Sequence, residues 1–433
     1  MTRVSDPSGT AARTGHRDVR RAIFGAGVGN TFEWFDWNVY ATFATYLATQ
    51  FFNGADKVSA LLATLAVFAV GFVARPFGGF LFGWVSDRLG RKFSMSLSIG
   101  LAALGSLAIG ISPTYSTIGS LASFILVSAR LVQGLAHGGE LPSAQTYIAE
   151  LAPREHRGLW SSMIYISGTL GIMMGNFLAA TLSLALSKDQ MNELGWRIPF
   201  ILGGIFGLYA LFMRIRMTES KIFENDIIMH DRATEQRMWL VLKEHKKQVA
   251  QVIGITVGLT AIFYEWAVSA PAHAIAARGI SPGGAFWSGV LTNVIFIVFL
   301  PIWGRLSDRI GRKPILIAAA AGSAVLTFPL DIMIGSSAVR LAVAMSIMLI
   351  FIAMGASIVP AVYAEMFPTG IRTIGLGIPY SICVAAFGGT APYLQELIAV
   401  KLDPRWFNAY VIGLLLVSVT VISRLPETKA KQL

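Results

Sequence analysis

Very little of this sequence is charged or oxidisable. Of 433 residues only one, Cys383, is a cysteine, so no intramolecular disulfide can form. Asp, Glu, Lys and Arg make up 14% of the chain, whereas soluble globular chains carry about a quarter. No GxxxxGK[ST] phosphate loop occurs, which excludes the usual ATP-driven machinery. Metal-ligand spacings and a nucleophile elbow are missing too, so neither an enzyme nor a cofactor or metal is expected. Strict apolar–polar alternation, the mark of a membrane β-barrel, is absent as well. What remains is hydrophobic: 54% of the residues are apolar and the mean hydropathy is +0.61.

Twelve apolar stretches recur from 20–50 to 405–424, each long enough to cross about 30 Å of hydrocarbon as a helix of about 20 residues. Lipid offers the backbone no hydrogen bonds, so an all-α membrane protein of twelve transmembrane helices is predicted. The basic N-terminus has no cleavage-site pattern before the first helix, so that helix is expected to stay. Net charge is +11. In a soluble chain that would suggest nucleic acid, but here its placement reads as topology. An even number of spans puts both termini on one side, and most Lys and Arg lie on that side. The positive-inside rule therefore makes both termini cytoplasmic, with the lipid bilayer as partner and no nucleic acid.

Two segments repeat. "GWVSDRLGRK" at 83–92 returns as "GRLSDRIGRK" at 304–313, and "AELAPREHRG" at 149–158 returns as "AEMFPTGIRT" at 364–373. Displacements of 221 and 215 imply a duplicated six-helix unit. The expected organisation is a cytoplasmic tail (1–19), an N-terminal bundle (20–215), a cytoplasmic linker (216–247), a C-terminal bundle (248–424) and a short tail (425–433). "MWLVLKEHKK" in the linker suits an amphipathic helix near anionic lipid.

The loop "GWVSDRLGRK" resembles the signature between helices two and three of the major facilitator superfamily. Within it, "GNTFEWFDWNVY", "GFVARPFGGFLFG", "ARLVQGLAHGGE", "GWRIPF", "AEMFPTGIRTIGLG" and "FGGTAP" are similar to the bacterial metabolite:proton symporters. That group includes permeases for α-ketoglutarate, shikimate, citrate, and proline or betaine. The resemblance implies two pseudo-symmetric bundles in a bacterial inner membrane, and a functional monomer that imports a small metabolite with protons. It also implies a gate in which Asp87, Arg88 and Arg91, and their counterparts Asp308 and Arg312, hold the cytoplasmic side shut. Glu150, Arg157, Glu365 and Arg372 are plausible partners; a solvated charge cluster is the alternative.

Ionisable residues at membrane depth cost about 2.5 to 3.5 kcal/mol each on insertion scales and are functional candidates by default. Glu33 and Asp36 fall roughly 18 to 23 Å along helix one, near the midplane, and Tyr40 continues their face. Two carboxylates this close are rarely both charged without cations, so one is expected to carry a proton. Helix four holds a polar stripe of Arg130, Gln133, His137 and Glu140. Arg130 could pair with either acid, or clamp a substrate carboxylate; a static ion pair is the competing account. Arg75 lines the pathway or snorkels, His137 relays protons or packs, and Arg197 anchors the interface or charges the entry vestibule. Gly134, Gly138 and Gly139 serve close packing.

Helix seven departs from the organic-acid permeases. It reads "FYEWAVSAPAHAIAARG", placing Tyr264 and a third acid, Glu265, at the midplane, with Pro271 as a kink. Proton coupling is thus assigned to Glu33, Asp36, Glu265 and His137, and substrate contact to Tyr40, Arg75, Arg130, Gln133, Glu140 and Tyr264. The function expected is proton symport of a small organic acid such as α-ketoglutarate. The alternatives are a zwitterionic osmolyte, favoured by Glu265, or a drug or metabolite exporter.

Overall fold

The computed structural model describes residues 27–54, 56–89, 91–138, 140–215, 243–368 and 371–429. The N-terminal tail and most of the expected linker, with its amphipathic stretch, lie outside the described residues. Among them every regular element is helical, and the helices form the twelve spans expected. In chain order these are α1 (27–51), α2 (Lys57–Leu89), α3 (Arg91–Ile111), α4 (Ser120–Ala136, resuming as Glu140–Leu151), α5 (Arg157–Ala185) and α6 (Arg197–Ile215). The second half comprises α7 (Lys246–Arg278), α8 (Pro282–Ile310), α9 (Arg312–Ile334), α10 (Ala338–Met366), α11 (Arg372–Cys383, continuing to Lys401) and α12 (Arg405–Ser423). Among the described residues ten helices are long and apolar enough to cross a membrane; α1 and α4 fall short because turns at Phe43 and at His137 and Gly138 interrupt them. Large apolar side chains such as Val325, Ile332 and Leu184 remain 70 to 74% exposed on the outer surface, as lipid contact requires.

Besides the interrupted α1 and α4, two spans depart from regular helix. α7 widens to a π-helix at Tyr264–Ser269 and α11 does so at Val384–Gly389, each just before a proline, Pro271 or Pro392. Pro271 therefore acts through a widened turn preceding it rather than a simple kink. The carbonyls loosened there are re-satisfied locally, since Ser269 Oγ donates to the carbonyls of Tyr264 and Glu265 at 3.0 and 3.1 Å.

Glycine brings α2 and α4 into backbone contact. A Cβ on Gly134 would lie 2.0 Å from the Gly71 carbonyl oxygen, and one on Gly138 2.0 Å from that of Arg75. This contact sets Arg75 and Arg130 side by side. Gly134→Leu is expected to overpack the seam by about 1–3 kcal/mol, because backbone cannot yield as a side chain does. Thermal unfolding in detergent checks it: the melting temperature falls.

Candidate functional site

The midplane acids face the interior of the first half but go to different partners. Glu33, 2% exposed, accepts from Arg75 Nη2 at 2.8 Å. Asp36 accepts from Ser106 Oγ on α3 and, at 2.8 Å, from Gln133 Nε2 on α4. Arg130 is fully buried, donates to Gln133 Oε1 at 3.0 Å and stands 3.8 Å from Asp36 Oδ2. Its guanidinium carbon lies 4.0 Å from the Trp37 ring centre and 4.4 Å from that of Tyr40. Desolvated cation–π contacts of this kind are worth about 2 kcal/mol. Arg130 is thus paired with Asp36, one of the two arrangements expected of it, and enclosed by aromatics in this conformation. The Tyr40 hydroxyl donates to the Thr64 carbonyl at 3.0 Å.

Arg75 neither snorkels nor stands free. Its guanidinium carbon sits 4.3 Å from the Trp37 ring and 4.5 Å from Phe72, and it is 7% exposed. His137 ends the first part of α4, with its ring 6.3 Å from Trp37. Arg197 donates to the carbonyls of Gly110 and Ser112 at 3.0 and 2.6 Å, capping the end of α3 rather than charging a vestibule. The side chain of Glu140 lies outside the described residues.

Between the halves is a cavity with about 490 Å³ of non-atom space. Trp34, Tyr165, Phe263, Tyr264, Tyr363 and Tyr380 supply its aromatic walls, while Thr256 and Thr260 add hydroxyls. None of the described residues lining it is charged. Among the expected substrate contacts whose side chains are described, Tyr264 alone reaches it. Arg75 lies just behind its wall, against Phe72, whose ring centre is 5.3 Å from that of Tyr264. Glu265 does not line this cavity: it lies on the opposite face of α7, 4% exposed, within the second half. A second space of about 350 Å³ lies toward the other end, among α1, α2, α7 and α11, and holds the His273–Glu396 pair at 2.5 Å.

At the end bearing the repeated loop motifs the halves are tied together. Arg157 of α5 meets Glu365 of α10 at 2.9 Å, Arg312 reaches the same carboxylate at 3.4 Å, and Arg372 of α11 pairs with Glu150 of α4. Arg312 also pairs with Asp308 at 2.6 Å. The Asp308 carboxylate accepts from the Gly158 and Leu159 amides at 2.9 and 3.0 Å, capping the N-terminus of α5, whose own cap residue His156 offers no side-chain bond. The first-half motif side chains of Asp87, Arg88 and Arg91 lie outside the described residues.

The chain's last described segment joins this cluster, and no sequence signal points to it. Glu427 caps α9 by accepting from the Arg312 and Lys313 amides at 2.8 and 3.2 Å, while Thr428 Oγ donates to Glu365 at 2.7 Å. Burial opposes ionisation of Glu427, but the amides of Arg312, Lys429, Lys313 and Thr428 outweigh it and hold the carboxyl below its ordinary range. A depressed value means the cap is intact above the ordinary glutamate range and is lost as pH falls through the lowered one. Glu427→Ala is expected to free the segment at neutral pH, read as faster limited proteolysis after Arg424.

The Sugar (and other) transporter family matches residues 22–253 and 275–433. The alpha-ketoglutarate permease of Escherichia coli (strain K12) is 32% identical over 422 residues, covering 96% of each chain. A putative proline/betaine transporter of Staphylococcus aureus (strain COL) is 29% identical, covering 94% of this chain and 89% of the relative. Among solved structures, the major facilitator proton:xylose symporter bound to 6-bromo-6-deoxy-D-glucose superposes with a TM-score of 0.72 at 20% identity, over 95% of this chain and 96% of that one. With two six-helix halves around a central cavity and a charged cluster at the motif end, this multi-pass membrane protein belongs to the sugar (and other) transporter family and has the major facilitator fold.

Proposed function

We propose that the chain is a proton symporter that imports a small carboxylate-bearing metabolite, an organic acid such as alpha-ketoglutarate, by alternating access in a bacterial inner membrane. The observation that carries this is the Glu33–Arg75 pair at 2.8 Å beside a cavity without other described charge. While Glu33 is ionised, Arg75 is occupied. Protonating Glu33 frees the planar guanidinium fork, which then takes the carboxylate of the solute. Proton and anion thereby enter together, and release of the proton on the far side restores the internal pair and expels the solute. Asp36, with Ser106, Gln133 and Arg130, is the second acid available to the coupled proton. The motif end is the cytoplasmic one in this scheme, so the closed gate belongs to the state that loads from outside.

A zwitterionic osmolyte is the second candidate, and the aromatic cavity favours it. Six aromatic rings suit an alkylated ammonium by cation–π contact, and a single reachable cation satisfies one carboxylate, not two. Uptake into proteoliposomes distinguishes the two: alpha-ketoglutarate, proline and glycine betaine are each offered with and without an inward proton gradient. Accumulation of alpha-ketoglutarate alone supports the lead, and accumulation of betaine or proline alone the second candidate. If no solute accumulates under the gradient, proton symport of this class is overturned.

A further inference from the structure

The two halves carry one more correspondence, on the helices that open each of them. "GNTFEWFDWNVYA" at 29–41 aligns with "GLTAIFYEWAVSA" at 258–270 at a displacement of 229. Glycine, threonine, tryptophan, valine and alanine coincide, and Asp36 falls on Glu265, each followed by tryptophan. The surroundings correspond in part. Ser106, which donates to Asp36 from α3, falls at the displacement of 221 on Thr327 of α9, also a buried hydroxyl. Arg130 and Gln133 fall at the displacement of 215 on Met345 and Met348 of α10, both buried.

We propose that Glu265 is a second proton-binding site of the transport cycle, the second-half counterpart of Asp36, built without a cation and out of reach of the solute. Where α4 gives Asp36 an amide and an arginine, the corresponding positions of α10 are methionines, and α10 carries no charged residue from Leu341 to Val362. Its Oε2 has no hydrogen-bond partner among the described residues. The acid of neighbouring α9 is Asp331, whose carboxylate is already taken by Arg278 at 2.7 Å and by Asn408 of α12 at 3.1 Å. From α11 the charged group on this side is Glu396, bound to His273. A lone carboxylate ion in such a setting costs several kcal/mol, whereas the neutral acid costs far less, so the site takes a proton from water. His273 stands about 12 Å farther along α7, on the rim of the second cavity, and places a titratable pair between Glu265 and that end. The π-helix at Tyr264–Ser269 contains Glu265, a widening of the kind that recurs at functional sites.

The coupling part rests on the proton-symport reading; the binding part does not. Infrared spectra of the purified full chain in lipid nanodiscs at neutral pH test the site without any solute. A carbonyl stretch from a neutral carboxylic acid is expected in the parent, retained in Asp36→Asn and lost in Glu265→Gln. Should Glu265→Gln fail to fold, Glu265→Asp is expected to shift that band. An unchanged band in a folded Glu265→Gln, or an unshifted one in Glu265→Asp, overturns the site. In proteoliposomes, Glu265→Gln is expected to lower the proton-to-solute ratio by one with whichever of alpha-ketoglutarate or betaine the parent accumulates. A ratio equal to the parent's overturns its part in coupling, whereas a parent that takes up no solute with protons overturns the symport reading and leaves the spectral result standing.

Discussion

Glu33→Gln is expected to abolish accumulation driven by a proton gradient while leaving solute exchange intact. In the parent, each pH unit across the membrane supplies about 1.4 kcal/mol per coupled proton, enough for about tenfold accumulation. The amide of the variant mimics the protonated acid at every pH. Arg75 then loses the carboxylate that occupies it at 2.8 Å and presents its fork permanently to the cavity side, among Trp37 and Phe72. A buried cation robbed of its partner costs about 3–5 kcal/mol, and a solute carboxylate is the available replacement. The variant should therefore bind an anionic solute more tightly, with a half-saturating concentration that no longer depends on pH, and exchange it without net uptake. Arg75→Lys keeps the charge but not the fork, so binding weakens even when Glu33 is protonated. Counterflow and gradient-driven uptake of the same radiolabelled solute separate these effects. Accumulation by Glu33→Gln equal to the parent's would move the coupled proton to Asp36.

Much of this machine is legible in the sequence because membrane solvation leaves few choices. Long apolar stretches must be helices, and the paired motifs at 83–92 and 304–313 reveal the duplication. Spacing also marks Glu33, Asp36, Arg75 and Arg130 as buried ions, since each is too costly in hydrocarbon to stand there idle. What spacing does not encode is azimuth. Residues 33 and 36 share the inward side of one helix, yet 100° per residue is enough to send one to α2 and the other to α3 and α4. Depth alone therefore suggests an Arg130 exposed to the substrate, whereas Trp37 and Tyr40 enclose it. The cavity walls are hidden for another reason: Trp34, Tyr165, Tyr363 and Tyr380 come from four helices, and each taken singly looks like ordinary membrane packing. Glu427 is invisible because its partner is not a side chain but the bare N-terminus of α9, a site that any sequence ending a turn there would present.

Glu365→Gln should shift the resting conformation toward one open at the motif end. Glu365 is 1% exposed and receives Arg157 from the first half at 2.9 Å, Arg312 at 3.4 Å and the Thr428 hydroxyl at 2.7 Å. Of these contacts, Arg157–Glu365 crosses between the halves, so it exists only while α5 and α10 are closed on each other. An amide retains the shape but not the charge, leaving Arg157 buried without that carboxylate; Arg312 keeps Asp308. The loss, at most about 3–5 kcal/mol, falls on the closed state alone, since opening separates Arg157 from residue 365 whichever side chain stands there. By population arithmetic that is a shift of about two to four powers of ten, enough to invert a closed state favoured a hundredfold. Electron–electron resonance distances between nitroxides at Glu155 and Arg309, both exposed at that end, report the change once the native Cys383 is replaced by serine. The distance distribution should lengthen in Glu365→Gln, and Arg157→Met added to it should restore the short distance, because removing the buried cation removes the penalty. A short distance in the single variant would mean that Arg372–Glu150 and the Asp308 cap of α5 hold the halves together without Glu365.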